Sequence, residues 1–445
     1  MKKGGYFFVF LTAFKKVWVQ SFFVALAFAW DILCYMKDKH ILILGAGFGG
    51  IYTYKGLPKE IKDKCYVTII DRRNHFLFTP LLPEVAGASL DQHSIVEPIR
   101  DIIDRKVNFI QSTVISVDTD KNVVVLPNKE LKYDVLISAL GSKTHFFGTP
   151  GAEEYAYVLK DLDDAVQMRA HFVDTFEAAS QLESKQEREA LLSFMVVGAG
   201  PTGVELAGET SDLLFDTFVK QFGNININEI SLTLVNSGDE ILTMFDKTLR
   251  TYAAKSLEQA NVSIQNNVRV AEVTDRGVIT SDGEEILAHT VIWTAGVTAN
   301  SLTCSCGSFN VERGRILTND SLQAENAENV FVIGDMAHFP TKDGRGLPMT
   351  AQIAKQQGLV TGKNVFNYLN KKPLKKFVYK EKGLLASLGA FDAIAEINGF
   401  KLKGVVAWFI WRTIYLFNFA SWKKRLNIMF DWTLNLFSRR DTTRL

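Results

Sequence analysis

Gly45-Ala46-Gly47-Phe48-Gly49-Gly50 follows the apolar run His40-Ile41-Leu42-Ile43-Leu44, and Gly198-Ala199-Gly200-Pro201-Thr202-Gly203 follows Ser193-Phe194-Met195-Val196-Val197. Each apolar run predicts a strand, and the residues past each glycine turn predict a helix. Glycine between strand and helix lets backbone N–H groups approach a pyrophosphate at the helix N-terminus, where the helix dipole favours negative charge. One such match is a weak signal. Two in the same strand-turn-helix context predict an α/β chain with two Rossmann-like dinucleotide-binding domains. Two dinucleotides held by one chain suggest a flavin site and a nicotinamide site, a layout suited to hydride transfer.

Working outward, Asp71 ends the strand Tyr66-Val67-Thr68-Ile69-Ile70-Asp71, about 20 residues past the glycines, where a carboxylate accepts hydrogen bonds from a ribose diol. A later strand, Asp134 to Ser138, leads into Ala139-Leu140-Gly141. The same theme recurs at Ile230 to Asn236 and at Thr290 to Gly296, an internal repeat of a nucleotide-binding half. Asn329-Val330-Phe331-Val332-Ile333-Gly334-Asp335 reads as a returning strand of the first half, with Asp335 set to meet a ribityl chain. The expected boundaries are therefore 36–159 and 296–375 for the first domain, 160–295 for the inserted one, and 376–445 for a C-terminal segment. In the second half the ribose position is Asn236. An amide hydrogen-bonds a 2′-hydroxyl but does not repel a 2′-phosphate, so discrimination against NADPH is expected to be weak.

The 445 residues, 47% of them hydrophobic, suffice for two or three domains. Fifty basic against 49 acidic residues leave no global field for nucleic acid. Cys34, Cys65, Cys304 and Cys306 make neither a disulfide framework nor a zinc set, and Cys304-x-Cys306 reads as two incidental thiols in a loop. No Cys-x₄-Cys follows the first fingerprint, which argues against a dithiol relay, and no His/Cys cluster has ligand spacing, so neither a metal nor an iron–sulfur centre is expected. Electrons must leave to something that enters the site. Residues 1–35 form an apolar extension with a basic start, read equally as an N-terminal anchor or as sequence preceding a true start at Met36.

Gln352 and Gln356 lie four apart, on one helical face, where two amides can touch a carbonyl-bearing ligand. In the tail, Trp422, Leu426, Met429, Phe430, Leu436 and Phe437 share one helical arc, with Lys424, Asn427, Asp431 and Asn435 opposite and Lys423, Arg425, Arg439 and Arg440 flanking. This predicts a C-terminal amphipathic helix lying in a membrane interface. Val405 to Ala420 is apolar but short and carries Arg412, a poor spanning segment.

With these residues in view, the chain resembles the type II, non-proton-pumping NADH:quinone oxidoreductases. The likeness runs from about Lys39 to the C-terminus and includes Phe78-Thr79-Pro80-Leu81-Leu82-Pro83-Glu84-Val85-Ala86, Gly148-Thr149-Pro150-Gly151-Ala152-Glu153-Glu154, Pro201-Thr202-Gly203-Val204-Glu205-Leu206-Ala207-Gly208-Glu209 and Ala351-Gln352 to Gln356. The resemblance implies a two-domain flavoprotein with FAD at Gly45, Gly47, Gly50, Asp71, Arg72, Thr79, Gly141, Gly334, Asp335 and Gln352. It implies NADH or NADPH at Gly198, Gly200, Thr202, Gly203, Asn236 and Gly296, and a membrane quinone near Glu205, Gln352 and Gln356. It further implies a homodimer, peripheral on the cytoplasmic face of the inner membrane, in contact with the bilayer surface and not with nucleic acid. Asn236 departs from the family, whose NADH-preferring members usually carry an acid there. Two other readings stand beside it: a sulfide:quinone oxidoreductase, with Cys304 and Cys306 as its thiols, and a membrane-tethered flavin-binding signalling protein.

Overall fold

The computed structural model describes residues 38–301, 303–306, 309–341, 344–419, 422–434, 440 and 442–443. The N-terminal extension 1–35, with its anchor-or-start question, and Leu436 and Phe437 of the tail lie outside the described residues. The chain forms two compact units: one runs to Asn74 and adds Ile103–Gly141 and Asn300–Tyr379, the other comprises His75–Ile102, Ser142–Ala299 and Lys380–Leu445.

The first unit is built on a six-stranded sheet in the order Gln323–Ala324, Ala327–Val332, Val135–Ser138, His40–Leu44, Tyr66–Asp71, Asn108–Gln111. From Ala327–Val332 onward every pairing is parallel. Ile41, Leu42, Ile43 and Leu44 are all fully buried. That is why the run does not alternate with polar residues: a parallel strand is covered on both faces. The helix Phe48–Gly56, opened by the first glycine turn, packs on the helix Ala351–Leu369 at backbone distance. A Cβ on Gly358 would lie 2.6 Å from Gly49 O, and one on Gly362 would lie 2.5 Å from Thr53 O. Only glycine permits that approach. Thr303–Cys306 is a strand beside Ser116–Asp118, where a loop was expected.

The second unit repeats the theme with a five-stranded parallel sheet, Tyr157–Val158, Thr290–Trp293, Ser193–Val197, Ser231–Val235, Val262–Gln265. The helix Pro201–Ser211 leaves the second glycine turn and continues as a π-helical stretch, Asp212–Phe218. The C-terminal segment contributes an antiparallel sheet, Leu384–Gly389, Asp392–Ile397 and Phe400–Lys403, then the helices Gly404–Asn418 and Trp422–Leu434. Among the described residues no helix is long and apolar enough to cross a membrane.

The division differs from the expected one at 75–102, at 142–159 and by a few residues at 296–299, all of which group with the second unit. Residues 75–102, placed by sequence within 36–159, group with the second unit because they pack on its C-terminal helices. Phe78 stacks on Phe419 with ring centroids 4.4 Å apart and meets the edge of Tyr415 at 5.8 Å. Gly87 abuts Glu209 so closely that a Cβ there would stand 2.7 Å from the glutamate's own Cβ.

Candidate active site

The two glycine turns have the same construction. A Cβ on Gly50 would fall 1.8 Å from Gly45 O, and one on Gly203 would fall 1.8 Å from Gly198 O. These third glycines let each helix close onto its own turn. Gly47 and Gly200 are different: each is the N-cap of its helix, with no side-chain cap, and a Cβ there would meet nothing within 4 Å. Each helix thus begins at a residue without a side chain, with open space where one would stand, an arrangement that fits a pyrophosphate in each unit.

In the first unit Asp71 braces the turn. Its Oδ2 accepts from Ala46 N at 2.7 Å and its Oδ1 from Arg73 N at 2.8 Å. A carboxylate has about four acceptor positions, so capacity for a ribose diol is left over. Gly334, in the left-handed region at φ +66°, is held by a residue the sequence reading passed over: buried Gln357 accepts from Gly334 N at 2.6 Å. Gln352, at the start of the same helix, accepts at Oε1 from the Tyr379 hydroxyl at 3.0 Å. Gly45, Gly47, Gly50, Asp71, Arg72, Gly141, Gly334, Asp335, Gln352 and Gln356 all belong to this unit, whereas Thr79 belongs to the second.

In the second unit the side chain of Thr294 donates toward Val197 O and Gly198 O at 2.9 and 3.0 Å, pinning the turn. Asn236 stands just past its strand, which ends at Val235, and its amide is engaged in its own loop. Nδ2 donates toward Gly238 O, Glu240 O and Asn266 Oδ1 at 3.1, 3.0 and 2.9 Å, and Oδ1 accepts from Gly238 N at 3.3 Å. The residue therefore shapes its own loop. Gly296 lies under Phe147, whose ring would be 2.6 Å from an added Cβ.

Glu205 follows Gly203 by two residues on the Pro201–Ser211 helix and is buried. Its Oε1 accepts from Ser387 N at 3.2 Å. Burial, opposed by that bond and reinforced by the charges of Glu84 and Glu209, pushes its pKa up to about 8. Glu84 is also buried and receives Trp432 Nε1 at 3.0 Å. Burial raises it to about 7 against the pull of Arg412. The Arg412 guanidinium is sandwiched 3.7 Å over the Trp408 ring and 4.6 Å over that of Trp432. The charge that made Val405 to Ala420 a poor span is thus turned inward against aromatic faces.

Glu84, Glu209, Asp212 and Arg440 were not singled out as site residues from sequence. Two signals were available: Glu209 lies one turn past Glu205 on the same helical face, and Glu84 is a carboxylate inside an otherwise apolar run. The flanking basic residues also need correction. Arg425 donates to Phe417 O and Phe419 O, and Arg440 to Gly87 O, so neither is a free lipid-facing cation.

Residues 39–358 match the family described as pyridine nucleotide-disulphide oxidoreductase, and residues 382–441 match the NDH2 C-terminal domain. A probable NADH dehydrogenase of Dictyostelium discoideum is 33% identical over 91% of this chain and 91% of its own length. A type II NADH:quinone oxidoreductase of Staphylococcus saprophyticus is 32% identical over 84% of this chain and 94% of its own. Among solved structures, NDH2 from Plasmodium falciparum in complex with NADH superposes with a TM-score of 0.85 at 24% identity, covering 92% of this chain and all of that one. The sulfide:quinone oxidoreductase of Aquifex aeolicus shares the fold at a TM-score of 0.70 and 20% identity, over 90% of this chain and 96% of that one.

The raised pKa of Glu205 has a consequence for stability. The folded state holds this proton up to about pH 8, whereas the unfolded chain releases it near pH 4.5. The contribution is complete below the unfolded value and is lost as pH rises through the folded one. Thermal melts between pH 5 and 8 should therefore show wild type losing stability with rising pH more steeply than Glu205→Gln, which has no proton to lose. Parallel curves would contradict the assignment.

Proposed function

The chain belongs to the type II NADH:quinone oxidoreductases, within the pyridine nucleotide-disulphide oxidoreductase family, and we propose that it works at a bilayer surface, carrying electrons from NADH to a membrane quinone without moving protons across the membrane. The observation that carries this reading is the pair of uncapped glycine N-termini joined, in the second unit, to a buried glutamate one turn along. Bound FAD supplies the two-electron relay between nicotinamide and quinone. The overall balance is NADH, a proton and quinone giving NAD⁺ and quinol.

The chain's own residues supply binding, orientation and a proton. The first-turn N–H groups beyond Gly47 and Gly200 receive the two pyrophosphates, and the free acceptor positions of Asp71 receive a ribose diol. Gln352, turned by Tyr379, presents its amide beside Gln356 to a quinone carbonyl. Glu205, protonated at neutral pH, offers the proton that the overall reaction takes up beside the hydride. The relatives at 33% and 32% identity are named as NADH dehydrogenase and NADH:quinone oxidoreductase, whereas the sulfide:quinone oxidoreductase is similar in fold alone, which favours the NADH reading.

The tail supports the bilayer reading. Along Trp422–Leu434, Ile428 and Trp432 are 0% and 5% exposed, while Trp422 and Phe430 are 73% and 63% exposed, with Leu426 and Met429 beside them. Val406, Phe409 and Phe417 of the preceding helix are also exposed. Apolar side chains presented outward from two successive helices fit an interface of acyl chains and headgroups.

Purified protein should bind FAD and oxidise NADH with a soluble quinone. In stopped flow, Gln352→Ala or Gln356→Ala should slow flavin reoxidation by quinone much more than flavin reduction by NADH; equal slowing would locate the damage in the flavin site.

NADPH should be a usable substrate. Asn236→Glu should raise the kcat/KM ratio of NADH over NADPH by about tenfold or more through repulsion of the 2′-phosphate. It should also cost about 1–3 kcal/mol of stability, since a carboxylate cannot donate to the three oxygens Asn236 now satisfies. Wild type rejecting NADPH, with no change in the variant, would assign selectivity to another residue.

Leu426→Gln with Phe430→Gln should abolish vesicle binding while activity with a soluble quinone persists. Each side chain carries about 1.5–3 kcal/mol of burial, so partitioning should fall by about 100-fold or more. Undiminished vesicle flotation would remove the bilayer from the account, and vesicle-independent dimers broken by the same pair would give the face to a second copy.

A further inference from the structure

Arg440 lies almost at the end of the chain, yet only 12% of its side chain is exposed. Its guanidinium donates to Gly87 O at 2.6 Å, Glu209 O at 3.0 Å and Asp212 Oδ2 at 2.9 Å, and its Nη1 stands 3.0 Å from Glu209 Oε2. Ala390 N also donates to Asp212 Oδ2, at 2.7 Å. The arginine thus joins the turn after the Leu82–Ala86 helix to the helix that carries Glu205 and to its π-helical continuation. Such a fork is the geometry in which a guanidinium is hardest to replace by another cation.

Its neighbours determine what that clamp does. Glu205 is faced by Glu84 from the Leu82–Ala86 helix, by Glu209 from its own helix and by Tyr415 from Gly404–Asn418. Asp212 is faced by Glu209, Asp216 and Arg440. Arg412 faces Glu84, Glu209 and Arg440. Four carboxylates, Glu84, Glu205, Glu209 and Asp212, therefore share one region with two guanidiniums. Two negative charges are compensated and two are not. Uncompensated carboxylates away from water keep their protons.

We propose that Arg440 is a positioning residue for the quinone half-reaction, tying the C-terminal arm to the helix of Glu205 and, by compensating Glu209 and Asp212, fixing the charge that Glu205 faces. The inference rests on the reading of Glu205 as the proton-holding group. Its sign follows from the charge count: without the guanidinium the cluster carries one more uncompensated negative charge and holds its protons more tightly. The pH at which the quinone half-reaction loses its proton donor then moves up.

The test is stopped-flow reoxidation of the NADH-reduced holoenzyme by a short-chain benzoquinone, followed from pH 6 to 10. Arg440→Gln should move the alkaline limb up by about one pH unit, the scale of one close opposite charge. Arg440→Lys, which keeps the charge but gives up the fork, should move it much less, and flavin reduction by NADH should be unchanged in both. Asp212→Asn removes one negative charge and leaves the arginine its bonds to Gly87 and Glu209, so its limb should move down; this variant decides the matter if Arg440→Gln does not fold. A limb that stays put in Arg440→Gln or in Asp212→Asn, or equal slowing of both half-reactions with a lowered melting temperature, would reduce Arg440 to a structural tie and overturn the proposal. Failure of wild type to pass electrons to quinone at all would strike instead at the functional reading beneath it.

Discussion

Burying several carboxylates together is costly unless each is compensated by a cation, a hydrogen bond or a proton, and the second unit is organised around meeting that cost. Trp432 serves Glu84, Ser387 N serves Glu205, and Arg440 serves Glu209 and Asp212. Arg412, held between two indole faces, adds positive charge to the same region. Of these partners, all but Ser387 come from the last two helices and the residues after them. The C-terminal arm is in this sense part of the interior of the second unit. A protonated glutamate near neutral pH, which quinone reduction can use, is a product of the same compensation.

The arm has two faces with different tasks. Inward, Ile428 and Trp432 pack, Asp431 accepts from Ser94 Oγ at 2.6 Å, and Lys424 donates to His93 O. Outward, Trp422 and Phe430 are largely exposed and Leu426 and Met429 about half exposed. Of the polar residues that the helical wheel set opposite the apolar arc, Lys424 and Asp431 are thus bonded to the body, while Asn427 is exposed. Removing the whole arm would strip the buried acids of partners along with any lipid contact, so only substitutions on the outer face isolate the bilayer's contribution.

Much of this was legible in the sequence where the signal is local. The glycine turns, the acid at the end of the second strand, and the four strands flanking the turns were found at nearly their observed positions, because period, glycine spacing and strand length are properties of short segments. The grouping of residues 75–102 with the second unit was not legible, since it depends on Phe78 and Glu84 meeting residues more than 300 positions later. Asn236 shows the limit at a single site. Its correspondence to Asp71 followed from register between the two halves, but its engagement with Gly238, Glu240 and Asn266 follows from how the loop closes. Arg440 was read by composition as a headgroup cation, and only the fold shows that it faces inward.

The central claim is that the C-terminal arm holds the Glu205 helix together from within. Hydrogen exchange on the holoenzyme with and without residues 421–445 tests it directly, because local opening reports the stability of each element separately. The account predicts that deletion lowers protection in Pro201–Ser211 and Leu82–Ala86 while His40–Leu44 and Phe48–Gly56, in the other unit, exchange as before. Unchanged protection in Pro201–Ser211 and Leu82–Ala86 would contradict it.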